Sequence, residues 1–250
     1  MNQTAHEPPP RPYGLVIGLL FALACAPAHA DGLWSDVIQY HGDISYLSIE
    51  MMKMVAIAGG LAILVAVPAG IYLSRPSRRH GGTIVMQILN AGQSVPQLAL
   101  LALAMSAMGI GSVPAIFGLW VATLLPIALN TYQGLVAVPR PLIEAATGMG
   151  MTPRQILWRV ELPNALYVIF AGVRTALAIT VGTAPLAFLI GAGGLGELIF
   201  TGIDYNDFGR LLAGAIPTAL LAILTDAFIG QLQRRLVSRG VNPKVSIKRS

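Results

Sequence analysis

Five stretches of this chain run for about 20 residues almost without charge, the length a helix needs to cross the hydrocarbon core of a bilayer. They cover about Met54–Leu73, Thr83–Met108, Pro114–Tyr132, Ala165–Ile190 and Leu211–Leu232. Only 11% of the residues are charged, against roughly a quarter in a soluble domain. A soluble fold of this size could not cover its surface with so few charges. Inside lipid every backbone N–H and C=O must find a partner within the protein, so apolar runs of this length predict helices. The expected fold class is all-α, a polytopic transmembrane helical bundle with five core spans.

The charges that do occur are sorted by segment. Twelve of the sixteen Lys and Arg residues fall in the Arg75–His80 loop, the Gln133–Pro163 segment or the C-terminal stretch Gln233–Ser250. The acidic residues Asp31, Asp36, Asp43, Glu50, Glu197, Asp204 and Asp207 occupy the alternate segments. The positive-inside rule then places the mature N-terminus outside and the C-terminus in the cytoplasm. The net charge of +5 therefore reads as a topology signal, and no nucleic-acid partner is expected. Residues 1–30 have Arg11, an apolar run from Tyr13 to Pro27 and a closing Ala28-His29-Ala30. That is the form of a signal peptide, with an additional N-terminal membrane segment as the alternative. Residues 31–236 form the expected transmembrane domain and 237–250 a basic cytoplasmic tail.

The second stretch is unusual in its polarity. Gln87, Asn90, Gln93, Ser94 and Gln97 occupy its first half, and such groups are costly against lipid. Gln93, Ser94 and Gln97, with Asn130 near the end of the third stretch, are candidates to line a pathway. Hydrogen bonding to neighbouring helices is the alternative. Arg174 and Asp226 are the ionisable residues most plainly inside spans, and a mutual ion pair is expected.

The Gln133–Pro163 segment is too polar to cross. It reads as two short helices joined at a turn, with Pro141 in the first turn of one and Thr152-Pro153 capping the next. The second helix, Pro153 to Glu161, puts Ile156, Leu157 and Val160 on one side and is expected to stop at Pro163. An amphipathic hairpin of this kind is suited to dock in a partner's groove.

Glu144-Ala145-Ala146, then Gly150, then Val160-x-Leu162-Pro163 resembles the EAA loop of bacterial ABC-importer permeases, with Val where Ile is usual. Gln93-Ser94-Val95-Pro96-Gln97-Leu98-Ala99-Leu100-Leu101, Leu125-Pro126-Ile127 and Gly191-Ala192-Gly193-Gly194-Leu195-Gly196 look like signatures of the members that import quaternary-amine osmoprotectants. The resemblance covers about Met54 to Leu236 and departs from the family at Pro185. It implies a type I permease fold, acting with a second permease subunit, identical or homologous. It also implies cytoplasmic ABC ATPase subunits docking on Glu144, Ala145, Ala146, Gly150, Val160, Leu162 and Pro163. A periplasmic or lipid-anchored substrate-binding protein would deliver glycine betaine, choline or carnitine. The setting is the bacterial inner membrane, and neither cofactor nor metal is implied.

Other signals carry less. Gly191–Gly196 fits Gly-x-Gly-x-x-Gly, but it follows a membrane helix instead of a strand and is expected to be a turn. No phosphate-cradling Gly-x-x-x-x-Gly-Lys-Ser/Thr loop occurs, so ATP hydrolysis is assigned to a separate subunit. Cys25 is the single cysteine and the four histidines lack ligand spacing. The rival readings are an ABC permease for an amino acid or sulfonate, an ion-coupled carrier, and a scaffold without transport.

Overall fold

The structure, a computed structural model, describes residues 39–75 and 79–237. The signal-like segment 1–30 and nearly all of the basic tail lie outside the described residues. All regular elements among the described residues are helical.

Helix α1, His41–Leu73, is 33 residues long, about 50 Å at 1.5 Å per residue. It begins well before Met54, where the sequence pattern placed the span. Leu47, Met51, Met54, Ala58, Ala62, Ala66 and Gly70 form one buried stripe down its length, so Asp43 and Glu50 belong to the same helix. Small residues on that stripe let α4, Ser112–Val136, lie close. A Cβ at Gly70 would fall 2.7 Å from Thr131 Cβ.

The second apolar stretch is not one straight span. α2 (Arg79–Gly92) and α3 (Gln97–Met108) meet at 95° across Gln93–Pro96. Ser94 and Val95 donate to Ala91 and Gly92 in tight turns. Pro96 has no N–H to extend the ladder. Four other helices are long and apolar enough to cross a membrane, and the bent pair makes a fifth span if taken as one.

After α4 come α5 (Arg140–Gly148) and α6 (Pro153–Ile156), then a π turn (Leu157–Glu161) that leads without a break into α7 (Leu162–Thr183). The helix therefore does not stop at Pro163. Widening to i→i+5 lets Leu162 donate to Leu157 O and absorbs the proline inside a continuous rod. At Pro185 the rod tightens into a 3₁₀ segment, Ala184–Ile190, and ends at Gly191 in the left-handed region (φ 77°). A short helix α8 (Gly196–Asp204) precedes α9 (Phe208–Leu236).

Three apolar clusters hold the bundle. One joins α1, α3, α4 and the 3₁₀ turn around Met51, Leu101, Leu119 and Leu195. A second lies between α1, α4 and α7 at Ala62, Ala66, Ile127 and Ala176. The third, Leu135, Val138, Ala165 and Ile169, sits where α4, α7 and the hairpin converge. Large apolar side chains such as Leu64, Ile110, Val113 and Phe228 remain exposed, as suits a surface facing lipid or other membrane helices.

Candidate coupling site and the polar residues of the spans

The α5–α6 hairpin is built by local chemistry. Pro141 sits in the first turn of α5. Met151 N–H donates to Ala146 O at 3.1 Å and Gly150 N–H to Thr147 O at 2.9 Å, the paired bonds of a Schellman ending. Gly150 has φ +77° with nothing near its would-be Cβ. The turn needs glycine for its backbone conformation and not for space. Thr152 then starts α6 with a capping box. Gln155 N–H donates to Thr152 Oγ1, and Thr152 N–H donates to Gln155 Oε1 at 2.8 Å. Pro153 follows at the first helical position.

This leaves Glu144 and Ala145 exposed on one face while Ala146 is buried, with Ile156 also buried in the same hairpin. Val160, Leu162 and Pro163 are half-buried, and Leu162 packs on the third apolar cluster with Ile143 and Leu157. Arg154 and Arg159 are exposed. Two exposed side chains here are not anticipated by the sequence pattern: Met149 (75% exposed) beside the turn and Trp158 (61%) on the π turn. Their signal is an apolar residue off the buried stripe of a segment too polar to enter lipid. Arg75, marked by the sequence only as part of a basic loop, also meets this region, its Nη1 donating to Glu161 Oε2 at 2.7 Å.

Within the bundle, Arg174 Nε and Nη2 donate to the two carboxylate oxygens of Asp226, a bidentate pair between α7 and α9. Gly230 leaves room for the guanidinium, since a Cβ there would lie 3.3 Å from Arg174 Cζ. Gln233 Nε2 adds a second tie to Tyr167 O at 3.1 Å. Thr123 and Thr180 share a buried hydroxyl contact of 2.7 Å between α4 and α7. No spacing rule marks such a pair, because its partners lie 57 residues apart.

The four polar pathway candidates are not brought together. Gln93 and Ser94 are exposed at the bend, and Gln93 Nε2 reaches Asn90 Oδ1 of its own helix at 3.4 Å. Gln97 is half-buried, and its Nε2 has no partner. Asn130 instead donates to Pro126 O at 2.8 Å and packs on α7, where a Cβ at Gly172 would fall 2.4 Å from Asn130 Cβ. The glycine run folds around a carboxylate. Gly193 and Gly194 both have positive φ, and Gly194 N–H donates to Glu50 Oε2 at 3.1 Å. Among the described residues no three His, Cys, Asp or Glu side chains are placed to hold a metal ion.

Residues 66–238 match the family described as the inner membrane component of binding-protein-dependent transport systems. The chain belongs to this family. The permease is 53% identical over 194 residues to the osmoprotectant import permease protein OsmY of Salmonella typhimurium, an alignment covering 78% of this chain and 82% of that relative. It is 42% identical over 201 residues to the carnitine transport permease protein OpuCD of Listeria monocytogenes, covering 79% and 89%. With the choline transport system permease protein OpuBB of Bacillus subtilis it shares 40% over 200 residues, covering 80% and 91%. Among solved structures it is similar to a chain of the MetNI methionine ABC transporter in an inward-facing conformation. That match has a TM-score of 0.61 and 29% identity, and covers 77% of the permease and 93% of that chain. The permease is a multi-pass membrane protein with a type I importer fold.

Proposed function

We propose that the permease forms half of the translocation pathway of an ATP-binding-cassette importer for quaternary-amine osmoprotectants such as glycine betaine, choline or carnitine. The observation that carries this is the likeness to OsmY, at 53% identity over 78% of the chain. The relatives named for carnitine and choline support the same cargo chemistry, since both solutes carry a trimethylammonium group. A second permease subunit completes the pathway, and a substrate-binding protein supplies the solute. The selective site, an aromatic cage for the cation, belongs mainly to that binding protein.

The permease lies in the bacterial inner membrane with its C-terminus in the cytoplasm, a reading supported by the distribution of basic residues. The ATPase subunit docks on the α5–α6 hairpin. Glu144 and Ala145 are presented to it, Gly150 sets the turn, and the exposed Trp158 and Met149 offer apolar area to a cleft. Closure of the ATPase dimer on ATP draws the hairpins together and opens the pathway outward, a rigid-body alternation. Gln93, Ser94 and Gln97 line the pathway at the bend. Their support is the exposure of the first two and the unpartnered amide of the third.

The test is uptake of radiolabelled glycine betaine and choline in a transport-null cell carrying the whole importer. Glu144→Lys combined with Gly150→Pro abolishes uptake while the protein still reaches the membrane. Unimpaired uptake in that variant would remove the coupling role of the hairpin. Absence of uptake by the unaltered importer would redirect the cargo to an amino acid or sulfonate.

A further inference from the structure

The coupling hairpin touches the rest of the bundle mainly through apolar side chains. Val67 and Ile71 of α1 pack beside Ile143, Leu157 and Leu162 around the third cluster. Contacts of this kind are non-directional. They can hold the hairpin against α1 but cannot specify how α1 follows when the hairpin turns. Among the described residues a polar tie crosses the same boundary, and it is directional.

Arg75 stands just beyond the end of α1, and each of its nitrogens has an acceptor. Nη1 donates to Glu161 Oε2 at 2.7 Å, Nε to Ile71 O at 3.2 Å, and Nη2 to Ser74 Oγ at 3.2 Å. Ser74 Oγ in turn donates to Ile71 O at 2.8 Å. The guanidinium is thus fixed to the last turn of α1, where free carbonyls favour a cation. Its side chain is 26% exposed and that of Glu161 only 12%. Glu161 closes the π turn, the one-residue excess through which the hairpin is joined to α7. A cleft of about 270 Å³, lined among others by Ser74, Arg140, Ile143, Glu144 and Glu161, lies alongside the pair. The cleft leaves the hairpin room to move relative to α1, with this pair as the tie across its edge.

Toward its other end, at its tenth residue, α1 is also tied by a carboxylate. Glu50 accepts from Gly194 N–H at 3.1 Å, and a Cβ at Gly193 would fall 2.7 Å from Glu50 Oε2. Between Glu50 and Arg75 the helix spans about 37 Å at 1.5 Å per residue. A rigid helix tied at these two points carries a displacement from one to the other.

We infer that the Arg75–Glu161 ion pair is the joint through which the coupling hairpin drives the first span, making both residues positioning residues for transport. The inference rests on the coupling role proposed for the hairpin. A directional, two-partner pair makes the hairpin and α1 move as one, and α1 then moves the glycine turn at the opposite face. Without the pair, ATP hydrolysis continues at the docked ATPase while less of its motion reaches the pathway.

The experiment uses the complete importer in proteoliposomes, with radiolabelled glycine betaine uptake and ATP hydrolysis measured in the same vesicles. Arg75→Glu and Glu161→Arg are each expected to lower solute moved per ATP by about tenfold, within the usual span of coupling energies. Hydrolysis itself is retained. The double exchange recovers much of the ratio, and the ratio itself, unlike the amount of assembled importer, is a quantity that a purely structural pair leaves unchanged. A normal ratio in both single variants, or a double exchange no better than the singles, would overturn the inference. Should the charge reversals fail to assemble, Glu161→Gln decides. It keeps the shape and removes the charge, so a lowered ratio supports the joint and a wild-type ratio removes it. Glu144→Lys runs alongside. Full transport by that variant sinks the coupling reading itself, whereas a dead Glu144→Lys with a normal Arg75→Glu sinks only the joint.

Discussion

Pro96 lies inside a long apolar stretch and Pro163 just before one, and the chain answers them in opposite ways. At Pro96 the helix direction turns by 95°. At Pro163 the rod continues from Pro153 to Ile190. Both prolines remove one backbone donor and crowd the preceding turn. What differs is the surroundings. Before Pro96, Gln93, Ser94 and Val95 are exposed, so nothing resists a change of direction. Around Pro163, Leu157, Leu162 and Ala165 are seated in one apolar cluster with α1, α4 and α5. A bend there would pull them all out, and a π turn costs less. Pro68, Pro126 and Pro217 lie inside helices that also continue. A proline in a membrane helix permits a break, and packing decides whether the break occurs.

The largest effect that bears on this contrast concerns what holds the continuous rod. Asp226→Ala removes the carboxylate that Arg174 meets between α7 and α9, and should cost about 2 kcal/mol, less than for a fully buried pair. Unfolding of the purified permease in detergent reads this out, with the Arg174→Asp/Asp226→Arg exchange recovering most of it. If the single variant is as stable as the parent, the ion pair does not hold the rod, and apolar packing with the Gln233 and Thr123–Thr180 ties does. A smaller effect is expected at the start of the rod. Thr152→Ala removes the capping box and should cost about 1 kcal/mol by the same assay. A neutral result would mean that the π turn and its cluster, not the cap, fix where the hairpin's second helix begins.

The smallest stability effect belongs to the bend. Gln93→Ala with Gln97→Ala should leave stability within about 0.5 kcal/mol, because Gln93 is exposed and the Gln97 amide makes no hydrogen bond whose loss would cost, while uptake falls. The opposite outcome, lost stability with uptake intact, would make the bend a packing element and remove these residues from the pathway.

Much of the hairpin is legible in the sequence alone. Pro141, Gly150 and Thr152-Pro153 act through bonds within a few residues of themselves, so their roles can be read from spacing. The apolar stretches are legible for a related reason: the bilayer imposes one length and one hydrogen-bonding rule on every span. The onset of α1 at His41 is harder to read. Its buried residues in the acidic segment, such as Leu47, are few among polar neighbours, and only the stripe shared with Met51 and Met54 joins them to the span.

By itself the sequence determined the helical membrane class, the alternation of basic and acidic segments, and the turn and cap that shape Glu144–Pro163. Each of these follows from local chemistry or from the solvent that surrounds the chain. Tertiary structure alone decided that Pro163 is absorbed while Pro96 bends the chain. It also decided that Thr123 meets Thr180, that Glu50 lies in the glycine turn, and that Arg75 meets Glu161 across 86 residues. Those outcomes depend on which side chains are packed together when the helices meet, and sequence spacing carries no term for that.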